Sequence, residues 1–386
     1  MDFERSITMY KSFKMLREKI EKEKEKYQDL CKEVRKIREE SVCNQKLIDE
    51  TVRNLRSRGF RVEIAEKCED AIKLVLKEIG DEKIVIKSKS NVCKEIKLAE
   101  NLIANGIEVI ETDIGDRIMQ IFGGEPAHPT GPAAHLSAER IAKKIKEIYG
   151  VEVEAKAESI AKFLKNEISK HIEKANVGIS GANAITSDGL ILLAHNEGNI
   201  AEVLRKRKWI CITGIDKIYP SVYDALKAIK LQSFFATGKD STSFIEIVSG
   251  AASTSDIEKK PVRIGGDALV ILLDNGRSDI AKSNFREVLY CIGCGSCVTV
   301  CPMHLFNEYY KGGRFSLYYS LNGSDEVKLC LGCGKCVSAC PLKIDIPSMI
   351  DLKEGSLKRF FYSHFVFTLL LIKFGLSYAQ SKLRII

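Results

Sequence analysis

Residues 291–302 read CIGCGSCVTVCP, and residues 330–341 read CLGCGKCVSACP. Each stretch places four cysteines at the spacing C-x2-C-x2-C-x3-C, and a proline follows the fourth cysteine. The first three cysteines can converge on one cubane [4Fe–4S] cluster from a single tight loop, whereas the proline-terminated turn carries the fourth towards a second cluster. The two stretches therefore predict a C-terminal module that holds a pair of [4Fe–4S] clusters.

Crossed ligation is the arrangement that this spacing predicts. The expected ligands of one cluster are Cys291, Cys294, Cys297 and Cys340, and those of the other are Cys330, Cys333, Cys336 and Cys301. Zinc sites usually have two C-x2-C pairs and do not require a third regularly spaced cysteine. Disulfides suit secreted chains, and no secretory signal opens this sequence. Zinc and disulfide bonds are therefore the less favoured interpretations of these cysteines.

The rest of the composition is that of an ordinary globular protein. Of the 386 residues, 45% are hydrophobic and 29% are charged, and the formal net charge is +8. This length suffices for two or three domains. Because the positive charge is not arranged as a basic stripe interleaved with aromatic residues, no nucleic-acid partner is expected. The cysteines outside the motifs share no spacing, and so many free thiols indicate a reducing, cytoplasmic compartment.

The chain before the cysteine runs divides into two parts by its hydrophobic pattern. Residues 1–58 are rich in Lys, Glu and Arg and predict charged helices that pack along one stripe on the main domain, with a short coiled coil as the alternative. Residues 59–283 alternate strands and helices, which is typical of an α/β fold with a parallel sheet. Strands are predicted at 61–65, 83–87, 108–112, 189–194, 209–213, 243–248 and 268–273, and helices at 68–79, 91–104, 137–148, 156–172, 221–231 and 278–289.

The loop after the second predicted strand is a candidate anion site. Ligand crevices form at the carboxyl ends of parallel strands, and Lys87, Ser88, Lys89 and Ser90 lie at that position. A solvated loop is the alternative. The glycine-rich turn at 178–181 could also bind an anion through backbone N–H groups, but it lacks the G-x-G-x-x-G spacing of a dinucleotide site.

No catalytic residue can be assigned from the sequence. Glu197 could act as a base and has His195 beside it, and Arg277 could either clamp a carboxylate bidentately or cap structure at the domain junction. His128 and His135 flank a loop rich in proline and glycine, and we expect both to be hydrogen-bonded loop residues.

The 28 residues between the two cysteine runs are rich in aromatic side chains, namely Tyr309, Tyr310, Phe315, Tyr318 and Tyr319. We expect these rings to pack around the clusters and exclude water, because solvent exposure helps to set a cluster's reduction potential. Partner docking is the alternative role for them.

Residues 351–386 form an apolar tail, and Lys373 interrupts its longest apolar stretch at 360–376. A membrane-spanning helix needs about 20 apolar residues, so this stretch is short for one. The favoured prediction is a helix buried against this chain or a partner. Peripheral contact with a membrane surface is the second choice, and a spanning helix is the last.

Six short motifs carry a family resemblance: SKSNV at 88–92, ETDIGD at 111–116, EPAHP at 125–129, ISGANAI at 179–185, HNEGN at 195–199 and LLDNGRS at 272–278. Together with the paired cysteine runs, they resemble the iron–sulfur B subunits of L-lactate-utilisation complexes. The resemblance extends over about residues 61–348. Each motif is weak alone, and their combination and linear order make the resemblance specific.

The resemblance implies a lactate-utilisation (LUD) domain at 59–283, with a fold similar to glucosamine-6-phosphate isomerases and CoA transferases. An α-helical ferredoxin module with two [4Fe–4S] clusters would follow at 284–350. The implied partners are a cysteine-rich CCG-domain subunit and a second LUD-domain subunit. The implied function is electron transfer within an oxidoreductase complex that oxidises L-lactate, or a related 2-hydroxy acid, to the keto acid without NAD.

Three other functions remain as alternatives. The LUD domain could itself be catalytic, with the clusters as its electron relay. The chain could instead be a ferredoxin-like adaptor of a heterodisulfide-reductase-type complex, or a scaffold with structural clusters.

Overall fold

The computed structural model of the protein describes residues 3–250, 252–254, 262–264, 267–307, 310–323 and 326–383. Its strands are β1 Arg61–Ala65, β2 Ile84–Lys87, β3 Glu108–Glu111, β4 Val177–Ser180, β5 Ala184–Thr186, β6 Ile191–His195, β7 Lys208–Gly214, β8 Ile218–Tyr219, β9 Phe244–Val248, β10 Ala252–Thr254, β11 Val262–Ile264 and β12 Ala268–Leu273.

The α-helices are α1 Phe3–Glu23, α2 Gln28–Ser41, α3 Gln45–Ser57, α4 Cys68–Ile79, α5 Asn91–Glu95, α6 Leu98–Ala104, α7 Ile114–Phe122, α8 Ala138–Tyr149, α9 Ala157–Ile172, α10 Asn199–Leu204, α11 Val222–Thr237, α12 Arg277–Ala281, α13 Ser296–Thr299, α14 Pro302–Phe306, α15 Gly313–Leu321, α16 Lys335–Ala339, α17 Ile346–Glu354 and α18 Ser356–Leu383. Short 3-10 turns lie at Lys24–Tyr27, Ile215–Lys217, Arg286–Tyr290 and Glu326–Leu329.

A six-stranded parallel sheet forms the centre of the molecule, with the strand order β1-β12-β7-β4-β2-β3. Parallel strands that are covered on both faces consist of nearly continuous apolar residues. In β12, Val270 and Leu272 pack into one hydrophobic core, whereas Leu269 and Ile271 pack into a second core on the opposite face. The prediction of an α/β fold with a parallel sheet is confirmed.

A smaller sheet with the strand order β8-β5-β6-β9 lies beside the parallel one. Its strand β5 runs parallel to β8 and antiparallel to β6, and β9 runs antiparallel to β6. The segment after β6 contacts the loop after β3, because the Asn199 side-chain amide donates to the Thr112 hydroxyl at 3.1 Å. The smaller sheet thereby brings the end of β6 to the carboxyl edge of the parallel sheet.

Helices α1 to α3 pack against the body of the protein rather than extending from it. Arg38 of α2 is fully buried and donates to the carbonyl oxygens of Asp216, Leu289 at 2.8 Å and Tyr290 at 3.3 Å. Its guanidinium also lies 4.8 Å from the ring centroid of Tyr219. Arg38 therefore joins the N-terminal helices both to the end of the parallel sheet and to the segment that enters the first cysteine run.

Two of the predicted helices are interrupted or end early in the structure, and the one predicted at 221–231 continues to Thr237. The helix predicted at 91–104 is divided into α5 and α6, because Lys97 adopts a left-handed conformation with φ of 48°. The helix predicted at 278–289 ends at Ala281 in α12. There the Ser283 hydroxyl donates to the Ile280 carbonyl and accepts from the Phe285 N–H, and these local bonds replace the helical ones.

The C-terminal region is helical, and it shares one hydrophobic core with α2 and α11. Val34 of α2, Phe234 of α11, Leu317 of α15 and Ile350 of α17 all belong to this core. Tyr310 and Tyr318 are buried in the same core, as expected of the aromatic insert, whereas Tyr309 lies outside the described residues.

Helix α18 leaves this core with most of its described apolar side chains in solvent. Phe361 is 70% exposed and Phe365 is 65% exposed. Burial against this chain is therefore a wrong prediction for these side chains, because the helix is longer than the surface that it contacts through the turn at Glu326–Leu329, α17 and α1. Residues 384–386 of the predicted tail lie outside the described part. None of the helices, over the residues described, is long and apolar enough to cross a membrane.

Candidate active site and cysteine-lined hollows

A cavity of about 320 Å³ lies where the carboxyl ends of the parallel strands meet the C-terminal region. Its walls come from the loops after β2, β3, β4, β7 and β12, from α11, and from the segments around Ile292 and Arg314. A cavity at the carboxyl edge of a parallel sheet is where α/β proteins bind ligands, and this volume suits a small molecule.

The structure brings most of the predicted site residues to this cavity. Ser88, Lys89, Ser90, His195, Glu197 and Arg277 all line it. Lys87 does not, because its side chain is buried and its ammonium lies 2.9 Å from the Glu111 carboxylate. Burial works to lower the pKa of Lys87, but Glu111 raises it overall. Lys87 is thus held in a buried ion pair rather than presented to a ligand.

Two acidic groups lie near the Lys89 side of the cavity. The Lys89 ammonium lies 2.6 Å from the Asp113 carboxylate, and the Glu197 carboxylate accepts from the Ile114 N–H at 3.3 Å. Burial and the nearby Asp113 charge raise the pKa of Glu197. Glu197 therefore holds a proton more readily than an exposed glutamate, which is the property expected of a cavity-wall acid or base.

Arg277 lines the cavity, but its donors are occupied by the protein's own carboxylates. Its terminal nitrogens pair bidentately with Glu95 at 2.8 and 3.0 Å, and its Nε donates to Asp216 at 2.6 Å. Its side chain is almost fully buried. This geometry favours the second of its two predicted roles, in which it joins the parts of the structure, over a free carboxylate clamp.

Sequence reasoning missed two further cations on the cavity wall, Lys217 and Arg314. Lys217 lies 3.0 Å from Asp216 and donates to the Cys291 carbonyl at 2.7 Å. Arg314 is 8% exposed, and its Nε has no hydrogen-bond acceptor among the described residues. Burial works to lower the pKa of Arg314, but the Cys291 sulfur and Asp216 raise it overall. The pair Gly312–Gly313 before Arg314 marks a tight turn, yet nothing in the sequence aims that turn at the cavity.

The glycine-rich segment at 178–181 is mostly strand rather than an anion-binding turn. Residues 177–180 form β4, and Gly181 lines the cavity. A Cβ at Gly178 would overlap the Val203 carbonyl, so this glycine is required for the close packing of α10 on β4. Of the segment that was predicted to bind an anion, only Gly181 therefore lines the cavity.

His128 joins the α/β domain to the first cysteine run. Its Nδ1 accepts from the N–H groups of Thr130 at 3.2 Å and Gly131 at 3.1 Å, so its Nε2 carries the proton and donates to the Gly295 carbonyl at 3.1 Å. Burial lowers the pKa of His128 to about 3, which keeps the ring neutral. A hydrogen-bonded loop histidine is what the sequence predicted. His135, the other histidine of that loop, is half-buried and does not line the cavity.

The eight cysteines of the two runs divide between two neighbouring hollows. We call one the inner hollow; its wall contains Cys291, Cys294, Cys297 and Cys340. The other is the outer hollow, with Cys301, Cys330, Cys333 and Cys336 in its wall. Cys336 also reaches the inner hollow. Each group of four thus draws three cysteines from one run and the fourth from the other.

The inner hollow has a wall in common with the cavity. Ile292, Arg314 and Phe315 contribute to both. A ligand in the cavity would consequently lie on the opposite side of these residues from the cysteines of the inner hollow.

The residues around both hollows fit an iron–sulfur cluster. Burial raises the pKa of Cys294 and Cys301 to about 12, so these thiols would stay protonated unless a cationic centre compensated their charge. The backbone N–H of Gly293 lies 3.3 Å from the Cys291 sulfur, which is the kind of hydrogen bond that tunes cluster sulfurs. Among the described residues, no three His, Cys, Asp or Glu side chains are grouped closely enough to bind a single metal ion.

Gly313 is required for the inner hollow to form. Its φ of 51° is left-handed, and a Cβ at this position would overlap the Cys297 sulfur. Only glycine therefore allows α15 to begin this close to a cysteine of the first run.

Comparisons with known proteins agree with this division of the chain. The family profile described as LUD domain matches residues 48–273, and the profile described as 4Fe–4S dicluster domain matches residues 290–344. Three curated relatives are named lactate utilization protein B. The protein from Macrococcus caseolyticus is 33% identical over 270 residues, which cover 67% of this chain and 56% of the relative. That from Oceanobacillus iheyensis is 32% identical over 274 residues, covering 69% and 56%. That from Bacillus licheniformis is 31% identical over 301 residues, covering 75% and 61%.

The chain thus spans less than two thirds of the length of these relatives. A solved structure of a DUF162-family protein from Deinococcus radiodurans is similar over 59% of this chain and 97% of that one, with 12% identity and a TM-score of 0.32. The predicted similarity to glucosamine-6-phosphate isomerases and CoA transferases stays a prediction.

The LUD profile alone matches more than half of the chain, and the dicluster profile begins 17 residues after it ends. The LUD profile begins within the segment predicted as N-terminal helices, and the dicluster profile covers both cysteine runs. The chain belongs to the LUD-domain family, and its C-terminal region is a 4Fe–4S dicluster domain that carries iron–sulfur clusters.

Proposed function

We propose that this chain is the electron-transfer subunit of an oxidoreductase complex that oxidises L-lactate, or a related 2-hydroxy acid, to the keto acid. The observation that carries this proposal is the common wall between the α/β cavity and the inner hollow. A substrate-sized space next to an electron-carrier site is what such a subunit requires. The lactate part of the proposal is supported by the names of the curated relatives.

Two [4Fe–4S] clusters are part of the proposal, with the crossed ligands that the spacing predicts. Cys291, Cys294, Cys297 and Cys340 would hold one cluster in the inner hollow, and Cys330, Cys333, Cys336 and Cys301 would hold the other in the outer hollow. When bound, such clusters supply one-electron transfer. The protein's own residues contribute the N–H groups that face the sulfurs and the buried rings that exclude water.

The proposed partners are a CCG-domain cysteine-rich subunit and a second LUD-domain subunit. Cys333 is the exposed member of the eight cysteines, so the outer hollow is the one nearest to the surface. A redox partner that docks there would come closest to the cysteines of this chain. The exposed apolar side chains of α18 are a second surface for a partner or for peripheral membrane contact.

A second candidate function gives the LUD domain its own catalytic site, with the clusters as its relay. The position of Glu197 on the cavity wall favours it, because oxidation of a hydroxy acid needs a group that accepts a proton. The two functions differ in whether the isolated chain can take electrons from the substrate.

The deciding experiment is anaerobic purification, followed by iron and sulfide analysis and by EPR of the dithionite-reduced protein. We expect about eight irons per chain and a coupled two-cluster signal. L-Lactate is then added to the oxidised protein alone and to the protein mixed with the CCG-domain subunit. Reduction only in the mixture supports the electron-transfer subunit, and reduction of the isolated chain supports the catalytic LUD domain. Zinc in place of iron, in protein that was never exposed to air, would overturn both candidate functions.

A further inference from the structure

We propose that the cavity binds a small monocarboxylate, and that the Arg314 guanidinium is the anchor for its carboxylate group. This inference goes beyond electron transfer, because it assigns a ligand site and an anchor residue to the α/β part of the chain. That the monocarboxylate is a 2-hydroxy or 2-keto acid rests on the proposed function. That the ligand carries a carboxylate does not.

The cavity wall around Asp216 carries more positive than negative charge, which favours binding of an anion. Burial works to raise the pKa of Asp216, but four nearby cations hold it well below the usual range. These cations are Lys217, Arg277, Arg314 and Arg38. Glu95 is the other carboxylate here, and both Glu95 and Asp216 bind Arg277. Two carboxylates and three cations, Lys217, Arg277 and Arg314, therefore line this end of the cavity, and Arg38 adds a buried positive charge near Asp216. An excess of buried positive charge is destabilising unless an anion neutralises it.

Among the three cations Lys217, Arg277 and Arg314 on the cavity wall, Arg314 has the fewest hydrogen-bond partners from the protein. Arg277 holds two carboxylates and Lys217 pairs with Asp216, whereas Arg314 contacts the ring of Tyr318 at 4.8 Å and has no acceptor for its Nε. A buried guanidinium is stable when a planar anion takes its paired N–H groups bidentately. A carboxylate has that geometry.

Other unpartnered polar atoms belong to residues of the same cavity. Among the described residues, four residues of the cavity wall have a buried side-chain N or O atom without a hydrogen-bond partner: Ser88, His195, Ser233 and Arg314. Native proteins leave few such atoms unpaired, and those that remain mark places where water or a ligand binds. The α11 hydroxyl of Ser233 and the Ser88 hydroxyl could bond the hydroxyl or keto oxygen of a ligand held by Arg314.

The competing explanation is that Arg314 serves the cluster alone. Arg314 also lines the inner hollow, and its backbone N–H bonds the Cys297 sulfur. An iron–sulfur cluster with four thiolates is anionic, so it would compensate part of the positive charge. The two explanations differ in one respect: carboxylate binding depends on Arg314 in the first and not in the second.

Anaerobically purified, cluster-containing protein is titrated by calorimetry with L-lactate, with pyruvate and with inorganic phosphate. The variants are Arg314→Met, Arg314→Lys and, as a matched control, Arg53→Met on the exposed face of α3. We expect both carboxylates to bind the native protein and Arg53→Met equally. Arg314→Met should weaken carboxylate binding at least about tenfold, and Arg314→Lys should do so less, because a lysine keeps the charge and loses the bidentate geometry.

A second measurement does not depend on any variant. Methyl proton relaxation of lactate or pyruvate is compared in oxidised and in dithionite-reduced native protein, where a paramagnetic cluster broadens the resonances of a ligand bound nearby. Enhanced relaxation on reduction, competed by the other carboxylate, supports the site. The inference is overturned if relaxation does not change, if Arg314→Met binds carboxylates as tightly as the native protein, or if phosphate binds as tightly as they do. Iron analysis and EPR of the same samples test the proposed function separately.

Discussion

The inner and outer hollows have the same number of cysteines but very different surroundings. The inner hollow adjoins the cavity, the buried cations around Asp216 and the loop that His128 holds through Gly295. The outer hollow ends in the exposed Cys333. A repeated sequence motif has thus been placed in two environments, one facing a ligand-sized space and one facing solvent. If both hollows hold clusters as proposed, position in the fold, and not the motif, decides what each cluster can exchange electrons with.

The largest expected effect concerns which hollow each fourth cysteine serves. If ligation is crossed, Cys340→Ala removes a ligand of the inner hollow, although it lies in the second run, and Cys301→Ala removes one of the outer hollow. Each variant should lose up to about half of the bound iron. Iron analysis and EPR should show that the two variants lose different signals. If each variant instead lost the EPR signal of the cluster held by the other three cysteines of its own run, ligation would not be crossed.

The next effect tests the buried charges behind the inner hollow. Arg277→Met removes the bidentate partner of Glu95 and one of the cations that face Asp216, and it should lower the free energy of unfolding by about 3–5 kcal/mol. Arg61→Met removes a bidentate pair with Glu78 at 2.6 and 2.8 Å, but Arg61 is half exposed, so the cost should be at most about 1 kcal/mol. Anaerobic denaturant titration measures both. Equal losses would mean that burial does not distinguish the two pairs.

A smaller effect concerns reduction potential. Removing a buried cation disfavours the more negative, reduced cluster, so Arg314→Met should lower the potential of the inner cluster. The expected shift is roughly 60 mV, the one-electron equivalent of a tenfold change. The outer cluster should keep its potential, and Arg53→Met should change neither. Redox titration followed by EPR measures both potentials, and an equal shift of the two would contradict the asymmetry.

The smallest effect lies at the Lys89 side of the cavity. Glu197 has a raised pKa in the folded protein, so the folded state binds this proton more tightly than the unfolded chain does. Its contribution to stability is therefore present below the usual glutamate pKa and is lost as pH rises through the raised value. Relative to Glu197→Gln, the native protein should therefore lose stability as the pH rises over that interval.

Denaturant titrations at several pH values check this prediction, with Glu158→Gln on the exposed face of α9 as the control. A stability difference between the native protein and Glu197→Gln that does not change with pH would count against a raised pKa at Glu197.

The parts of the molecule governed by local spacing were predictable from the sequence. The strand at 268–273 and the helix at 68–79 have the bounds that their apolar patterns predicted. The cysteine runs predicted the dicluster domain, and the loop after β2 was correctly assigned to the carboxyl edge of the sheet. In these places a few adjacent residues determine the structure, so the pattern carries the information.

The parts that depend on distant residues were not predictable. Lys87 looked like a ligand residue because its partner Glu111 lies on another strand, 24 positions away. Arg314 and Lys217 were missed since only the folded chain brings them to one cavity.

Helix α7 was also missed, although local signals could have found it. Asp113 caps its start by accepting from the Asp116 N–H at 3.0 Å, and Gly123 ends it.

The buried contact of Arg38 has a consequence for how the chain is made. This cation is synthesised about 250 residues before Leu289 and Tyr290, whose carbonyl groups it needs. Arg38 can therefore make these two hydrogen bonds only after residues 289 and 290, which lie about three quarters of the way along the chain, have left the ribosome. The packing of α2 is thus completed late, together with the segment that enters the first cysteine run. A fragment that ends before residue 289 would leave Arg38 without two of the three carbonyl groups that it binds.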